Sequence, residues 1–186
     1  MIDLECDVDV VILAGGLGSR LRTVLKDKPK VLADINGRPF IFYLLDQLCA
    51  AGIGRVVVCS GHMGEHLENV TGTVYKSLDI DFSREKVLLG TGGAVRKAVD
   101  MVRRDWILIL NGDSYVDIDL LGFVAWHAKK GAKVSVVVTS VADSSRYGSV
   151  DLSLDGEIQR FVEKGSLAEE NVRENGRLIS AGIYLM

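Results

Sequence analysis

Several features are missing from this 186-residue sequence, and each absence removes a class of function. There is no basic stripe: 22 Lys and Arg face 25 Asp and Glu, for a formal net charge of −3. A nucleic-acid surface needs cations clustered on one face, so any phosphate chemistry must come from a few placed ones. There is no long apolar run. Runs such as Val10 to Ala14 and Trp106 to Leu110 fall far short of the roughly 18 residues of a membrane helix. The three cysteines, Cys6, Cys49 and Cys59, are odd in number and widely spaced. No Cys-x-x-Cys pair occurs, which argues against a disulfide framework and a zinc site. The opening Met1-Ile2-Asp3-Leu4-Glu5 lacks the basic start and apolar stretch of a secretory signal. These absences predict a cytoplasmic protein with free thiols, no nucleic-acid partner and no membrane contact. No internal repeat or low-complexity linker interrupts it.

What is present fits a single domain over residues 1–186 with a large core, since 48% of the residues are hydrophobic. Val8 to Ala14 is a β-branched apolar run ended by glycines, which predicts a strand covered on both faces. Further strands are expected over Val74 to Phe82, Trp106 to Leu110 and Lys133 to Val141, with Arg55 to Ser60 as a second buried one. Helical spacing of apolar residues follows Pro39 up to a stop at Gly52, and recurs over Gly90 to Val102. Gly64 to Val70 reads as a short helix, and Asp119 to Lys130 as another with Asp119 as its cap. Strands alternating with helices imply an α/β protein with a mostly parallel central sheet, Rossmann-like and three-layered. The tail changes character. Ser149 to Leu154, Glu157 to Glu163 and Leu178 to Met186 read as strands, with Asp155-Gly156 as a hairpin turn.

Chemistry concentrates after the first strand, in Leu13-Ala14-Gly15-Gly16-Leu17-Gly18-Ser19-Arg20. Glycines let backbone N–H groups approach a phosphate closely; the plainer reading is a tight strand-to-helix turn. A P-loop would need Gly-Lys-Ser/Thr at its end, which is absent. A dinucleotide fingerprint would need glycine where Leu21 stands, and an acid after the second strand, which ends at Cys59-Ser60. A loop that holds a triphosphate with added cations remains. Arg20 and, after Pro29, Lys30 can supply them. A guanidinium grips two phosphate oxygens, whereas an ammonium acts as a point charge. Asn111-Gly112-Asp113 follows a buried strand, where open α/β sheets place their ligands. A hard carboxylate there suits Mg²⁺, although Asp113 also reads as an ordinary turn residue. Asp117 and Asp119 read as helix-start residues.

Taken together, Leu13-Ala14-Gly15-Gly16-x-Gly18-Ser19-Arg20-Leu21, Lys28-Pro29-Lys30 and Asn36-Gly37-Arg38-Pro39-Phe40-Ile41 resemble the signature of the sugar-phosphate nucleotidyltransferases. The likeness is greatest to the heptose 1-phosphate and mannose 1-phosphate guanylyltransferases. It implies the nucleotide-diphospho-sugar transferase fold. It further implies that Leu13 and Ala14 bind the nucleotide, that Gly15, Gly16, Gly18, Ser19 and Arg20 grip its phosphates, that Lys30 contacts the reacting phosphates, and that Asp113 holds the catalytic Mg²⁺. Leu89-Gly90-Thr91-Gly92-Gly93 matches the family segment beside the base, and Glu85 stands where the family carries a base-reading Glu or Gln. A carboxylate only accepts, and guanine offers two adjacent donors, so Glu85 favours GTP. Tyr147-Gly148, Glu163-Lys164 and Ser180-Ala181-Gly182 resemble segments lining a sugar pocket, with Gly148, Glu163, Lys164 and Gly182 near the sugar phosphate.

The expected activity is transfer of a nucleotidyl group, GMP from GTP, to a sugar 1-phosphate. The alternatives are a uridylyl- or cytidylyltransferase on another acceptor, or a non-catalytic regulatory subunit that binds sugar nucleotides. A homo-oligomer is compatible with this reading. Related enzymes extend several tens of residues further, with a second metal-binding aspartate, so the chain is expected to lack that C-terminal segment. His62 and His66 have the spacing of paired ligands but lack a third, and His127 reads as structural.

Overall fold

A computed structural model describes residues 8–16, 28–61, 63–141, 148–162 and 177–186. They fall into two compact units, one up to Ser135 together with Tyr184–Met186, the other Val136–Ile183.

In the first unit, β1 (Val8–Leu13) pairs in parallel with both β4 (Arg55–Ser60) and β7 (Trp106–Asn111). β4 pairs in parallel with β6 (Leu78–Arg84), and the short β5 (Val74–Tyr75) closes that side antiparallel. The order is therefore β5-β6-β4-β1-β7. Met186 flanks β7, exchanging backbone hydrogen bonds with Ile107 at 2.8 and 3.1 Å. The central strands are apolar on both faces because both faces are buried. Val11, Val57, Ile107 and Ile109 pack with Ala94 and Ala98 of α3 (Gly90–Val99). Val10, Ile12, Val56, Val58, Leu108 and Leu110 alternate with them and are buried as well. α1 (Ile41–Ala50) adds Ile41, Leu44, Leu45 and Leu48 to the core. α2 (Gly64–Thr71) and α4 (Leu120–Lys130) complete the set. No helix among the described residues is long and apolar enough to cross a membrane. Cys59 is buried at the end of β4, and burial pushes its thiol up to about 12, so it stays protonated and inert.

Element types follow the sequence pattern, and the differences are local. The expected strand from Val74 to Phe82 is two strands, because Lys76 adopts a left-handed φ of 54° and turns the chain. The segment before α1 holds a hairpin that periodicity does not reveal: β2 (Asp34–Ile35) and β3 (Arg38–Pro39). Asn36 and Gly37, with φ of 54° and 80°, form its turn. Asp119 caps α4 as expected, its side chain accepting from Gly122 N–H at 2.9 Å. An ionic tie crosses the strand starts. Arg55 donates to Asp9 at 3.1 Å and to Asp81 at 2.9 Å. Buried Asp9 also accepts from the backbone N–H of Arg104 at 3.1 Å and from that of Arg103.

In the second unit, β9 (Ser149–Leu152) pairs antiparallel with β10 (Ile158–Val162) and with β11 (Arg177–Leu185), while β8 (Ser135–Val141) also pairs with β11. The expected turn at Asp155-Gly156 is present, with Gly156 at φ 83°.

Candidate active site

Three loops meet at the carboxyl ends of β1, β4 and β6, and glycines let them. Ala14 N–H donates to Cys59 carbonyl at 2.9 Å, carrying the β1–β4 pairing one residue past the strand. A Cβ on Gly15 would lie 3.1 Å from Glu85 Oε1 and 3.4 Å from Gly61 N. A Cβ on Gly61 would lie only 2.7 Å from the Gly15 carbonyl oxygen, an approach no side chain tolerates. Glu85 is held on two sides. Its N–H donates to Ser60 carbonyl at 2.7 Å, and its Oε2 accepts from Leu89 N–H at 2.9 Å, just ahead of α3. Oε1 is left facing Gly15. Gly90 opens α3 at φ 71°, a conformation that favours glycine, and Thr91 is exposed beside it. Gly16 is exposed.

Lys30 and Asp113 are brought together beside the end of β1. Lys30 opens a single 3₁₀ turn, Lys30–Leu32, anchored by buried Val31 and Leu32. Gly112 N–H donates to Leu13 carbonyl at 2.9 Å. A Cβ there would lie 2.7 Å from that oxygen and 2.9 Å from Val31 Cγ1. Only glycine lets the Asp113 turn pack against both. Lys30 Nζ then donates to Asp113 Oδ2, with both side chains about two-fifths exposed. Asp113 thus already holds one cation, which is the chemistry a divalent ion would need from it. Among the described residues no group of three or more candidate ligands forms. Asp113 would serve as one carboxylate ligand of Mg²⁺, an ion usually held by one or two carboxylates together with substrate phosphates.

Comparison with known proteins places the chain in a family. Residues 9–186 match the family model described as nucleotidyl transferase. The chain belongs to the nucleotidyl transferase family. It is 33% identical over 178 residues to D-glycero-alpha-D-manno-heptose 1-phosphate guanylyltransferase of Aneurinibacillus thermoaerophilus, covering 96% of this chain and 74% of that protein. It is 33% identical to the mannose-1-phosphate guanylyltransferase catalytic subunit beta of Xenopus tropicalis, over 94% of this chain and 48% of that one. Among solved structures, HddC from Yersinia pseudotuberculosis complexed with GMP-PN superposes with a TM-score of 0.82 at 32% identity, covering 96% of this chain and 76% of that one.

Other residues expected to serve a nucleotidyl transferase site divide into two groups. Gly18, Ser19, Arg20, Glu163 and Lys164, with His62 and Tyr147, lie outside the described residues. Gly148 and Gly182 lie in the second unit, where local geometry gives each a reason to be glycine. A Cβ on Gly148 would lie 3.0 Å from the Val162 carbonyl oxygen across the β9–β10 pair. Gly182 has φ of 80°, and its N–H donates to Ser180 Oγ at 3.2 Å. His127 is structural, as expected. It is buried, its Nδ1 is 2.7 Å from Ser135 Oγ, and its ring meets the Trp106 ring edge-on at 5.4 Å. Burial lowers its pKa.

Sequence reasoning passed over Gly61 and Gln47. Gly61 follows a buried strand just as Gly15 does, and that position was its signal. Nothing in the sequence marks Gln47.

Proposed function

We propose that the chain transfers GMP from GTP to a sugar 1-phosphate of heptose or mannose type, forming a nucleotide-sugar and pyrophosphate. The observation that carries this reading is the Lys30–Asp113 pair beside the Gly15–Glu85 contact. Lys30 and Asp113 meet beside the end of β1, and Glu85, which follows β6, reaches the Gly15 loop beyond that same end. The relatives named above support the choice of substrates.

The sugar phosphate oxygen is already anionic at neutral pH, so attack on the α-phosphorus needs no general base. Catalysis is then alignment and charge stabilisation. Lys30 steadies the reacting phosphates. The loop from Gly15 through Gly18 and Ser19 to Arg20 grips the triphosphate and the departing pyrophosphate. Mg²⁺ held by Asp113 would neutralise charge on the phosphates. Glu85 keeps an acceptor for guanine at Oε1 and a second lone pair at Oε2. Uracil would set an acceptor against it. Gly148, Glu163, Lys164 and Gly182 serve the sugar phosphate in this reading, and the reaction belongs in the cytoplasm, where nucleoside triphosphates are held.

The test is pyrophosphate release with GTP or UTP against a panel of sugar 1-phosphates. Release with GTP and a heptose or mannose 1-phosphate is expected. Release with UTP in preference would overturn the nucleotide assignment, and no release with any pair would overturn the activity.

A further inference from the structure

The loop from Gly112 to Asp119 carries Asp113 and is fixed at both ends. Gly112 N–H donates to Leu13 carbonyl at 2.9 Å, and Asp119 caps α4. Its middle is held from another element. Gln47, on α1, donates from Nε2 to the Val116 carbonyl at 2.7 Å, across 69 positions of sequence.

The same helix grips the segment around Lys30. Phe40 N–H, at the helix start, donates to Ala33 carbonyl at 2.9 Å, and Tyr43 OH donates to Ile35 carbonyl at 3.0 Å. Asp46 binds Arg38 at 2.6 Å and accepts from Tyr75 OH at 2.8 Å. The Arg38 guanidinium holds the Asp46 carboxyl well below its ordinary range. α1 is therefore a common reference for both sides of the Lys30–Asp113 pair, and Gln47 connects it to the Asp113 side.

The rest of the Gln47 amide makes this contact informative. Its Oε1 is buried without a hydrogen-bond partner among the described residues. An unpaired buried acceptor works against folding. Methionine, of similar length, would fill the space without one. Turning the amide over would set its oxygen against the Val116 oxygen. Packing therefore does not account for glutamine here, whereas the donor does.

We propose that Gln47 is a positioning residue for nucleotidyl transfer, fixing through Val116 the path of the loop that presents Asp113 to a divalent cation. The proposal rests on the functional reading above, because it gives that loop its task.

Gln47→Met in the full chain tests it with three measurements: amide hydrogen exchange over residues 113–118, the thermal midpoint, and pyrophosphate release with Mg²⁺ varied. The exchange should quicken and the midpoint should hold or rise, since the unpaired acceptor is gone. The Mg²⁺ level giving half-maximal rate should increase, and turnover should fall roughly tenfold to hundredfold, as small displacements of a reacting centre do. Gln47→Glu, which keeps the size and loses the donor, should loosen the loop likewise. Unchanged exchange and unchanged Mg²⁺ dependence would overturn the proposal. So would a lowered midpoint with Mg²⁺ dependence intact, which marks a merely structural residue. A parent chain that releases no pyrophosphate refutes the functional reading instead; the exchange comparison needs no turnover and still decides whether Gln47 holds the loop.

Discussion

Lys30 and Asp113, 83 positions apart in the sequence, meet as an ion pair at the end of β1. Neither is buried, so the pair adds little to stability; exposed pairs are typically worth about 0–1 kcal/mol. Its meaning is chemical. Lys30 Nζ is bound to Asp113 Oδ2, so a metal ion taking that oxygen would compete with it. Lys30→Met should therefore strengthen Mn²⁺ binding to the nucleotide-free chain, read by electron paramagnetic resonance. It should also lower turnover about 10²–10³-fold, the usual effect of losing one charge-stabilising contact. Weaker or unchanged Mn²⁺ binding would show that Lys30 does not shield Asp113.

Asp113→Asn should leave the thermal midpoint nearly unchanged, because the side chain is exposed and its partner lysine remains solvated. Pyrophosphate release should be lost, since a neutral amide is a poor Mg²⁺ ligand. A variant with parental turnover would remove Asp113 from the metal role.

Gly15→Ala would set a methyl 3.1 Å from Glu85 Oε1. The carboxylate is tied to Leu89 N–H and cannot retreat freely, so its aim should shift. The expected result is a reduced preference for GTP over UTP in direct competition. Glu85→Gln should narrow the same ratio by a different route, since an amide both donates and accepts. The ratio staying at the parental value in both variants would show that Glu85 does not read the base.

Asp9→Ala should be the most destabilising of these substitutions. It leaves Arg55, largely buried, without one of its two carboxylates, and leaves two backbone N–H groups unpaired. Arg55 keeps Asp81 and the Met101 carbonyl, so the expected loss is that of the unmade hydrogen bonds, about 1–3 kcal/mol. Denaturant unfolding measures it; a loss under about 1 kcal/mol would place the pair among ordinary surface contacts.

His127 links stability to pH. Burial lowers its folded-state pKa below the ordinary 6.5. The unfolded chain therefore binds this proton more readily, and stability falls as pH drops below 6.5 toward the folded value. Above that window the contribution is fully present. His127→Gln should flatten the slope of unfolding free energy between neutral and mildly acid pH. An unchanged slope would assign the dependence to other groups.

The sequence by itself determined the elements and the chemistry that can be read locally. Runs rich in β-branched residues such as Val8 to Leu13, ended by glycines, read as strands buried on both faces, and Asp119 announces a helix by its capping chemistry. The Gly15 loop, Lys30 and Asp113 were legible as candidates from residue type and short-range context, and Glu85 only through the likeness to the sugar-phosphate nucleotidyltransferases. The tertiary structure alone decided which of them meet. Gly61 and Gly112 each follow a buried strand, but only the fold shows why both must be glycine: the backbone carbonyl of Gly15 or Leu13 lies 2.7 Å from where a Cβ would stand. The hairpin at Asp34 to Pro39 is too short for periodicity to show, and it exists because Tyr43 and Asp46 of α1 hold it. Gln47 is one polar residue on an amphipathic helix until the fold sets Val116 beside it. Contacts between residues tens of positions apart depend on strand order and on the packing of α1, and no local pattern in a chain encodes those.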